Sequence, residues 1–396
     1  MSIKNLIIKF INSPEKNIFS SQTLYECLFF LIENSEFNES YEVVKLIIDS
    51  QLEDGGFDIG YDFLFGKGLT KTLDKEGTTP ETLSITALGL FLDKFSDKLN
   101  EKEMSDCKKS INLGLNWIFS HHILINNVAA IPYAPHSFQY VHITNATSFA
   151  LSAIALGWKY ADLCMQEELK KLYHKLTQFM YQELVKGEEA GMFWPYFYQN
   201  GSEYEKTFIN DKVDNYHIAQ QLYFHIISNK YIRCEYNDMI IKNVGDYLLA
   251  SIDNEGFIPY TKRNGKSTQK VDVWGFSSVI MALAETYSAL GKREFLEAAL
   301  KVNNYLFTYC KAKDYFYPII DNKSKSVFDS NFYPRSDAWV IHAVSSLANK
   351  CSLEKEYKDF CQIVYTKIKI AGFRGKENHT YSTRKKFFVK ILSLKH

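Results

Sequence analysis

The chain has 396 residues, 46% of them apolar and 15% aromatic, which is enough to bury a large core and, on length alone, to form two or three domains. Lys+Arg and Asp+Glu both total 46, so the formal net charge is zero. No global field recruits nucleic acid or a membrane surface, and any charge-based recognition must be local.

The first stretch, MSIKNLIIKFINSPEKN, has only short apolar runs and no small-residue cleavage site, so it does not read as a signal peptide. No apolar run approaches the roughly 18–20 residues of a membrane span. The seven cysteines are odd in number, widely spaced and free of any CxxC pair. They read as reduced thiols of a cytoplasmic protein, with neither a disulfide frame nor a metal site, and no cofactor is expected.

From SQTLYECLFFLI (21–32) onward, two kinds of helical pattern alternate. One kind carries few charges and many small residues: SQTLYECLFFLI, ETLSITALGLFL (81–92), NATSFALSAIALGW (145–158), DNYHIAQQLYFHI (214–226), DVWGFSSVIMALAETY (272–287) and DAWVIHAVSSLA (337–348). The other kind spaces apolar residues at i, i+3, i+4 and i+7 beside a charged face. ESYEVVKLIIDSQ (39–51) is the first of this series and EKEYKDFCQIVYTKIKI (354–370) the last. The first kind suits helices enclosed on most sides, the second suits an outer layer. Between each outer pattern and the next inner one lies a turn-rich stretch: QLEDGGF (51–57), AAIPYAP (129–135), EAGMFWPYFYQNG (189–201), NEGFIPY (254–260) and DYFYPIIDN (314–322). These read as short β-hairpins at one rim.

Six inner and six outer helices recur about every 60–70 residues, longer than a usual solenoid repeat. Closing them into a ring removes the ends that an open array must cap. The expected fold is therefore all-α: one (α/α)6 toroid domain over 1–396, with a closing basic segment at 373–396. That last segment, ending STRKKFFVKILSLKH, is amphipathic and offers peripheral contact with an anionic membrane surface; the plainer reading is a closing helix with a solvated basic face.

The hairpin count and pieces such as QLEDGGF resemble the α/α-toroid superfamily: six-hairpin glycosidases, uronate lyases and epimerases, and, more distantly, terpenoid cyclase and prenyltransferase toroids. The resemblance spans nearly the whole chain. It implies a fold and a set of possible chemistries, not one reaction.

Candidate site residues come from aligning the inner-helix starts. KVDNY (212–216), KVDVW (270–274) and RSDAW (335–339) share a base, an Asp two residues on, and an aromatic two after that. Glu81 and Asn145 hold the matching position in two earlier repeats. Asp at a helix start is also an ordinary N-cap, so each of the three has a purely structural alternative. Converging on one rim, Asp214, Asp272 and Asp337 would divide acid, base and positioning work, with His217 beside them. Lys212, Lys270 and Arg335 would bind a substrate anion. Tyr216, Trp274 and Trp339 would stack on sugar rings, with Glu81 and Asn145 as further substrate contacts. His136 and His142 are rim-loop candidates, and His342 lies deeper and reads as core.

The sequence lacks a DxDD run, zinc-prenyltransferase cysteine and histidine placement, a phosphate loop, GxGxxG and GxSxG. These absences leave an oligo- or polysaccharide as the expected partner, without nucleic acid or an integral membrane segment. The expected activity is hydrolysis of an anionic or uronate-containing glycan by paired carboxylates, in cell-envelope polysaccharide metabolism. A uronate lyase or epimerase, a non-catalytic glycan-binding toroid and a terpenoid-cyclase-like protein are the alternatives.

Overall fold

A computed structural model of the protein describes residues 20–58, 77–135, 144–196, 213–263, 266–353 and 355–374, with short strands at 63–65 and 69–71. Twelve α-helices lie among these residues, and the fold is the expected all-α toroid. The inner helices are α1 (Ser21–Glu33), α3 (Leu83–Phe95), α5 (Thr144–Gly157), α7 (Asn215–Asn229), α9 (Val273–Leu290) and α11 (Pro334–Ala348). The outer ones are α2 (Phe37–Ser50), α4 (Glu101–His121), α6 (Leu163–Gln182), α8 (Glu235–Ala250), α10 (Arg293–Tyr309) and α12 (Lys355–Ile370).

Each inner helix packs on the next in chain order, and α11 packs on α1, so the inner ring is closed. Burial follows from the sequence. On α5 every residue is buried, and on α9 thirteen of eighteen are, because neither carries more than one charged residue. On α2 only Ser40, Val43, Val44 and Ile47 are buried, one stripe at helical spacing. Residues beyond α12 return to the start of the ring: Ser20 N–H donates to the Phe373 carbonyl at 3.1 Å and Thr23 Oγ1 to that of Arg374 at 3.2 Å. The rest of the closing basic segment, 375–396, lies outside the described residues.

The repeated turn motif has a packing reason. Asp54 Oδ1 accepts from Gly56 N at 2.9 Å, and Asp253 Oδ1 accepts from Glu255 N and Phe257 N, both at 2.9 Å. Each turn needs a left-handed residue, Gly55 at φ 94° and Gly256 at φ 91°. A Cβ at Gly55 would lie 2.3 Å from the Leu113 carbonyl oxygen, and one at Gly256 2.5 Å from that of Lys301. So each turn presses its backbone onto the following outer helix, α4 or α10, and glycine is required for both conformation and space.

Short strands carry the rim. β1 (Phe63–Phe65) pairs with β2 (Leu69–Lys71), β3 (Ile123–Ile125) with β4 (Val128–Ala130), and β5 (Val185–Lys186) with β6 (Met192–Phe193). Two three-stranded sheets follow: β7 (Val213–Asp214), β8 (Thr261–Arg263) and β9 (Lys266–Ser267), then β10 (Lys270–Asp272), β11 (Ile319–Asp321) and β12 (Val327–Asp329). The pairing puts Asp214 opposite Thr261 and Asp272 opposite Ile319. Both aspartates are thus the last residue of a strand and the first cap of an inner helix.

The opposite end of the ring is tied shut. Glu285 on α9 takes Lys230 at 2.7 Å and Lys350 at 2.8 Å, from the α7–α8 and α11–α12 links. Burial pushes its carboxyl up, but the two ammonium groups outweigh that and hold it below the usual range. Inside the ring, His342 Nδ1 lies 2.7 Å from Glu26 Oε2, and its Nε2 lies 3.4 Å from the hydroxyl of Tyr223, which reaches over from α7. His342 is therefore buried, as expected, but as part of a polar network. Burial raises the Glu26 carboxyl against the opposing pull of His342. Among the described residues no helix is long and apolar enough to cross a membrane.

Candidate functional site

The inner-helix N-termini meet in a run of contacts around the rim. Beginning on the 3-10 turn Thr79–Thr82, Glu81 Oε1 accepts from Gln22 Nε2 of α1 at 2.9 Å. Gln22 Oε1 accepts from Arg335 Nη1 of α11 at 3.2 Å. The Arg335 guanidinium lies 5.9 Å from the Trp274 ring of α9. Trp274 meets the His217 ring of α7 edge-on at 5.4 Å, and His217 Nδ1 lies 2.9 Å from Asp214 Oδ1. Five of the six inner repeats contribute. Asn145 of α5 is buried at the start of the remaining inner helix, and its Oδ1 has no partner among the described residues.

Local sequence explains the Asp214–His217 pair. Asp214 closes β7 and caps α7, its Oδ1 accepting the His217 backbone N–H at 3.2 Å. A cap bond to the residue three positions on also places that residue's side chain over the same carboxylate. Asp214 is 1% exposed and the His217 side chain 14%, so the imidazole is the accessible half of the pair. Tyr196 meets the ring edge-on at 5.1 Å and Tyr260 flanks it at 6.4 Å. Burial and the Asp214 charge push the Tyr196 phenol above its usual range. Nδ1 approaches the carboxylate without a hydrogen bond to it, and the partly exposed imidazole is the group suited to exchange a proton with a ligand.

Of the three aspartates, Asp214 and Asp272 each end a rim strand and hold the N-cap of an inner helix. The Tyr216 and Tyr260 rings stack at 4.7 Å, and burial, then the Asp272 and Asp214 charges among others, push the Tyr216 hydroxyl above its usual range. Asp272 occupies the cap of α9, half-buried, without a capping bond to that helix. Asp337 stands apart. Pro334 begins α11 directly, since its fixed φ suits the first helical turn, so Asp337 falls inside the helix instead of before it. Its Oδ1 accepts from the Phe316 backbone N–H at 3.0 Å. Burial drives its carboxyl well above the usual range, against the Phe316 N–H and Lys367, with Asp314 adding to the rise. Its hydrogen-bond partner is thus the α10–α11 loop. The RSDAW match to KVDVW is one of letters, not of position.

The expected platforms divide too. Tyr216 is fully buried, with its ring against Gly275, and is packing. Trp339 is buried edge-on between Trp274 and Tyr25, 6.4 Å from each, and supports the wall from behind. Trp274 is half-exposed and forms the wall itself. Among the three bases, Arg335 is in the cluster. Lys270 is exposed on the rim sheet, its ammonium 3.2 Å from the Phe328 ring centre. Lys212, His136 and His142 lie outside the described residues. Gln22 had no place among the sequence candidates. Its one signal was an amide at the start of an inner helix rich in apolar residues.

Solved structures share this architecture at low identity. Cellobiose 2-epimerase from Bacillus thermoamylovorans B4167 matches with a TM-score of 0.62 at 12% identity, over 85% of this chain and 88% of that one. A D-mannose isomerase matches with a TM-score of 0.58 at 13% identity, over 85% and 91%. A glycosyl hydrolase of family 88 from Bacteroides vulgatus matches with a TM-score of 0.54 at 10% identity, over 88% and 96%. No protein-family model and no curated protein sequence matches the chain. The likeness places the fold with the six-hairpin α/α toroids.

Proposed function

We propose that this toroid is a carbohydrate-active enzyme that moves a proton on a sugar carbon, as an epimerase or isomerase does. The observation that carries the reading is the His217–Asp214 pair, its imidazole partly exposed among Trp274, Tyr196 and Tyr260. Aromatic faces with polar tips suit a sugar ring and its hydroxyls. In this mechanism His217 Nε2 takes the proton from the carbon beside the sugar carbonyl. The C–H electron pair becomes a carbon–carbon double bond and the carbonyl oxygen takes the charge. Arg335 is the cation within the cluster that would stabilise that oxygen, and Asp214 faces the imidazolium that forms. Return of that proton from His217 to the former carbonyl carbon, as the neighbouring hydroxyl gives its proton to the former carbonyl oxygen, gives the isomer; a proton taken from water on the opposite face by the first carbon, His217 giving its own up to solvent, gives the epimer.

The named activities of the fold neighbours, an epimerase, an isomerase and a glycosyl hydrolase, support a saccharide substrate. Hydrolysis stands second. Two carboxylates at successive inner-helix starts, Asp214 and Asp272, favour it, since cleavage needs a pair of carboxyl groups about 5–9.5 Å apart. Proton transfer comes first because one of that pair already faces a histidine. A terpenoid-type site would need an apolar wall free of bases, and His217 and Arg335 argue against it. Free thiols at all seven cysteines support the cytoplasmic setting.

The test is proton NMR of mono- and disaccharides incubated with the protein in D2O. Deuterium at the carbon beside the carbonyl in an uncut sugar supports the reading. Cleavage without exchange transfers the assignment to hydrolysis.

A further inference from the structure

The sheet β10–β11–β12 adjoins the cluster, and the proposed chemistry leaves its outer face unused. β10 runs from Lys270 to Asp272, and two residues on stands Trp274, the half-exposed wall beside His217. The chain that leaves β12 at Asp329 passes through Tyr333 and Pro334 to Arg335. Both outer strands of the sheet therefore lead into residues of the cluster.

Successive strand residues alternate between faces, and residues opposite one another in a pair share a face. β10 reads exposed Lys270, buried Val271, half-exposed Asp272, so Lys270 and Asp272 share the outer face. Ile319 lies opposite Asp272, and Asp329 lies opposite Ile319, which continues that face across all three strands. The β11–β12 register then shifts. Val327 lies opposite Ile320 and Asp329 opposite Ile319, so Phe328 is an extra residue with no counterpart on β11. Such a bulge re-aims a side chain. Here it turns a ring outward: Phe328 is 59% exposed, the one exposed aromatic among the described residues. The ring is also held, because the Lys270 ammonium reaches across β11 to 3.2 Å from its centre. A single exposed apolar residue is ordinary. One set out by a bulge, held by a lysine from the far strand and adjoining the wall of a sugar site is a built surface.

We propose that this outer face is a second sugar subsite, with Phe328 and Lys270 as its contacts, and that the protein acts on the reducing end of a di- or oligosaccharide in preference to a free monosaccharide. The inference rests on the reading of the rim as a sugar site and names its substrate class. Phe328 offers apolar surface to the C–H face of a sugar ring, and the ammonium beside it offers N–H donors to that ring's hydroxyls. Lys270 stands two residues from Asp272, about 7 Å along a strand, a separation on the scale of one sugar ring. The unit at His217 must have its carbonyl free, so it is the reducing end, and the unit on the sheet is the one linked to it.

Saturation-transfer NMR titration compares D-glucose with maltose and lactose, and D-mannose with β-1,4-mannobiose. The wild-type protein should bind at least one disaccharide about tenfold or more tightly than the monosaccharide at its reducing end, with saturation reaching protons of the distal unit. Phe328→Ala and Lys270→Ala change exposed side chains, and their melting temperatures should match the wild type. Each should lower the disaccharide preference, and Phe328→Ala should bring it close to one. Disaccharides bound no more tightly than monosaccharides would overturn the inference while leaving the deuterium-exchange reading standing. A preference unmoved in both variants would overturn it as well. A preference lost in the variants, without deuterium exchange in any sugar, would uphold the subsite and refute the proton transfer. Failure of every probe to bind would overturn both readings.

Discussion

Acidification from pH 7 to 4 should cost the fold about 3 kcal/mol through one residue, His225. It sits on α7, fully buried between the inner and outer layers. Its Nδ1 lies 2.7 Å from Asn237 Oδ1, its Nε2 3.4 Å from Ser148 Oγ, and Trp194 stacks on its ring at 5.2 Å. Asn237 Nδ2 donates in turn to the Tyr173 hydroxyl at 2.6 Å. The neutral ring is satisfied there. Burial penalises the charged form and pulls the imidazole down from 6.5 to about 4, against a smaller opposing effect of Asn237. A base depressed in the folded state binds its proton first in the unfolded one. Its contribution is therefore complete above pH 6.5 and is lost as pH falls toward 4. At about 1.4 kcal/mol per pH unit, this depression amounts to about 3 kcal/mol. Urea unfolding at pH 7.5, 6, 5 and 4 measures it, with His225→Gln as control. The variant should be less stable at pH 7.5 and should show a shallower loss with acid, by about 1.4 kcal/mol per unit. Parallel curves for the two proteins would refute the assignment of a neutral, buried imidazole.

Gly275→Ala should destabilise despite the gain in helix propensity. Alanine adds up to about 1 kcal/mol in a helix, but the new Cβ would lie 2.2–2.6 Å from Tyr216 ring and Cβ atoms, and overpacking costs about 1–3 kcal/mol; urea unfolding decides the sign. Asp337→Asn should keep the acceptor for Phe316 N–H while removing a buried ionisable group. Its melting temperature should match or exceed that of the wild type, with catalytic rates within about twofold, and lost turnover in a folded variant would return Asp337 to the site. Glu285→Gln should cost about 1–2 kcal/mol, less than a wholly buried pair, because Lys230 and Lys350 are partly exposed; an unchanged unfolding midpoint would mean that the clamp closing the far end contributes nothing.

The ring was legible because its two helix types differ in composition as well as in period. A helix such as α9, with Glu285 as its one acidic residue, has to be enclosed, and one such as α2, with a single apolar stripe, has to lie outside. The turn motif was legible for the same reason: Asp, Gly and a buried aromatic recur because each turn docks on the next outer helix. Side-chain direction was not legible. RSDAW resembles KVDVW, but Pro334 starts its helix earlier and sets Asp337 against the Phe316 backbone of the α10–α11 loop. Tyr216 and Trp274 hold one alignment column, yet Gly275 leaves room that the Tyr216 ring fills, while Trp274 stays half-exposed. Gln22, Glu26 and Glu285 interrupt apolar helices, and each proves to be tied into a polar contact, at the rim, within the ring and at its far end. A lone polar residue in an enclosed helix was the sign to follow.

The central claim is that His217 moves a proton on a sugar carbon. It is tested most directly by solvent-exchange NMR in D2O, comparing the wild-type protein with His217→Asn across a panel of reducing sugars. Positioned general acid–base groups contribute on the order of 10²–10⁴-fold. The wild-type protein should place deuterium beside the carbonyl of at least one sugar, and the folded variant should do so at least 100-fold more slowly. Equal exchange rates in the two proteins, or cleavage of a glycan without any exchange, would contradict the account.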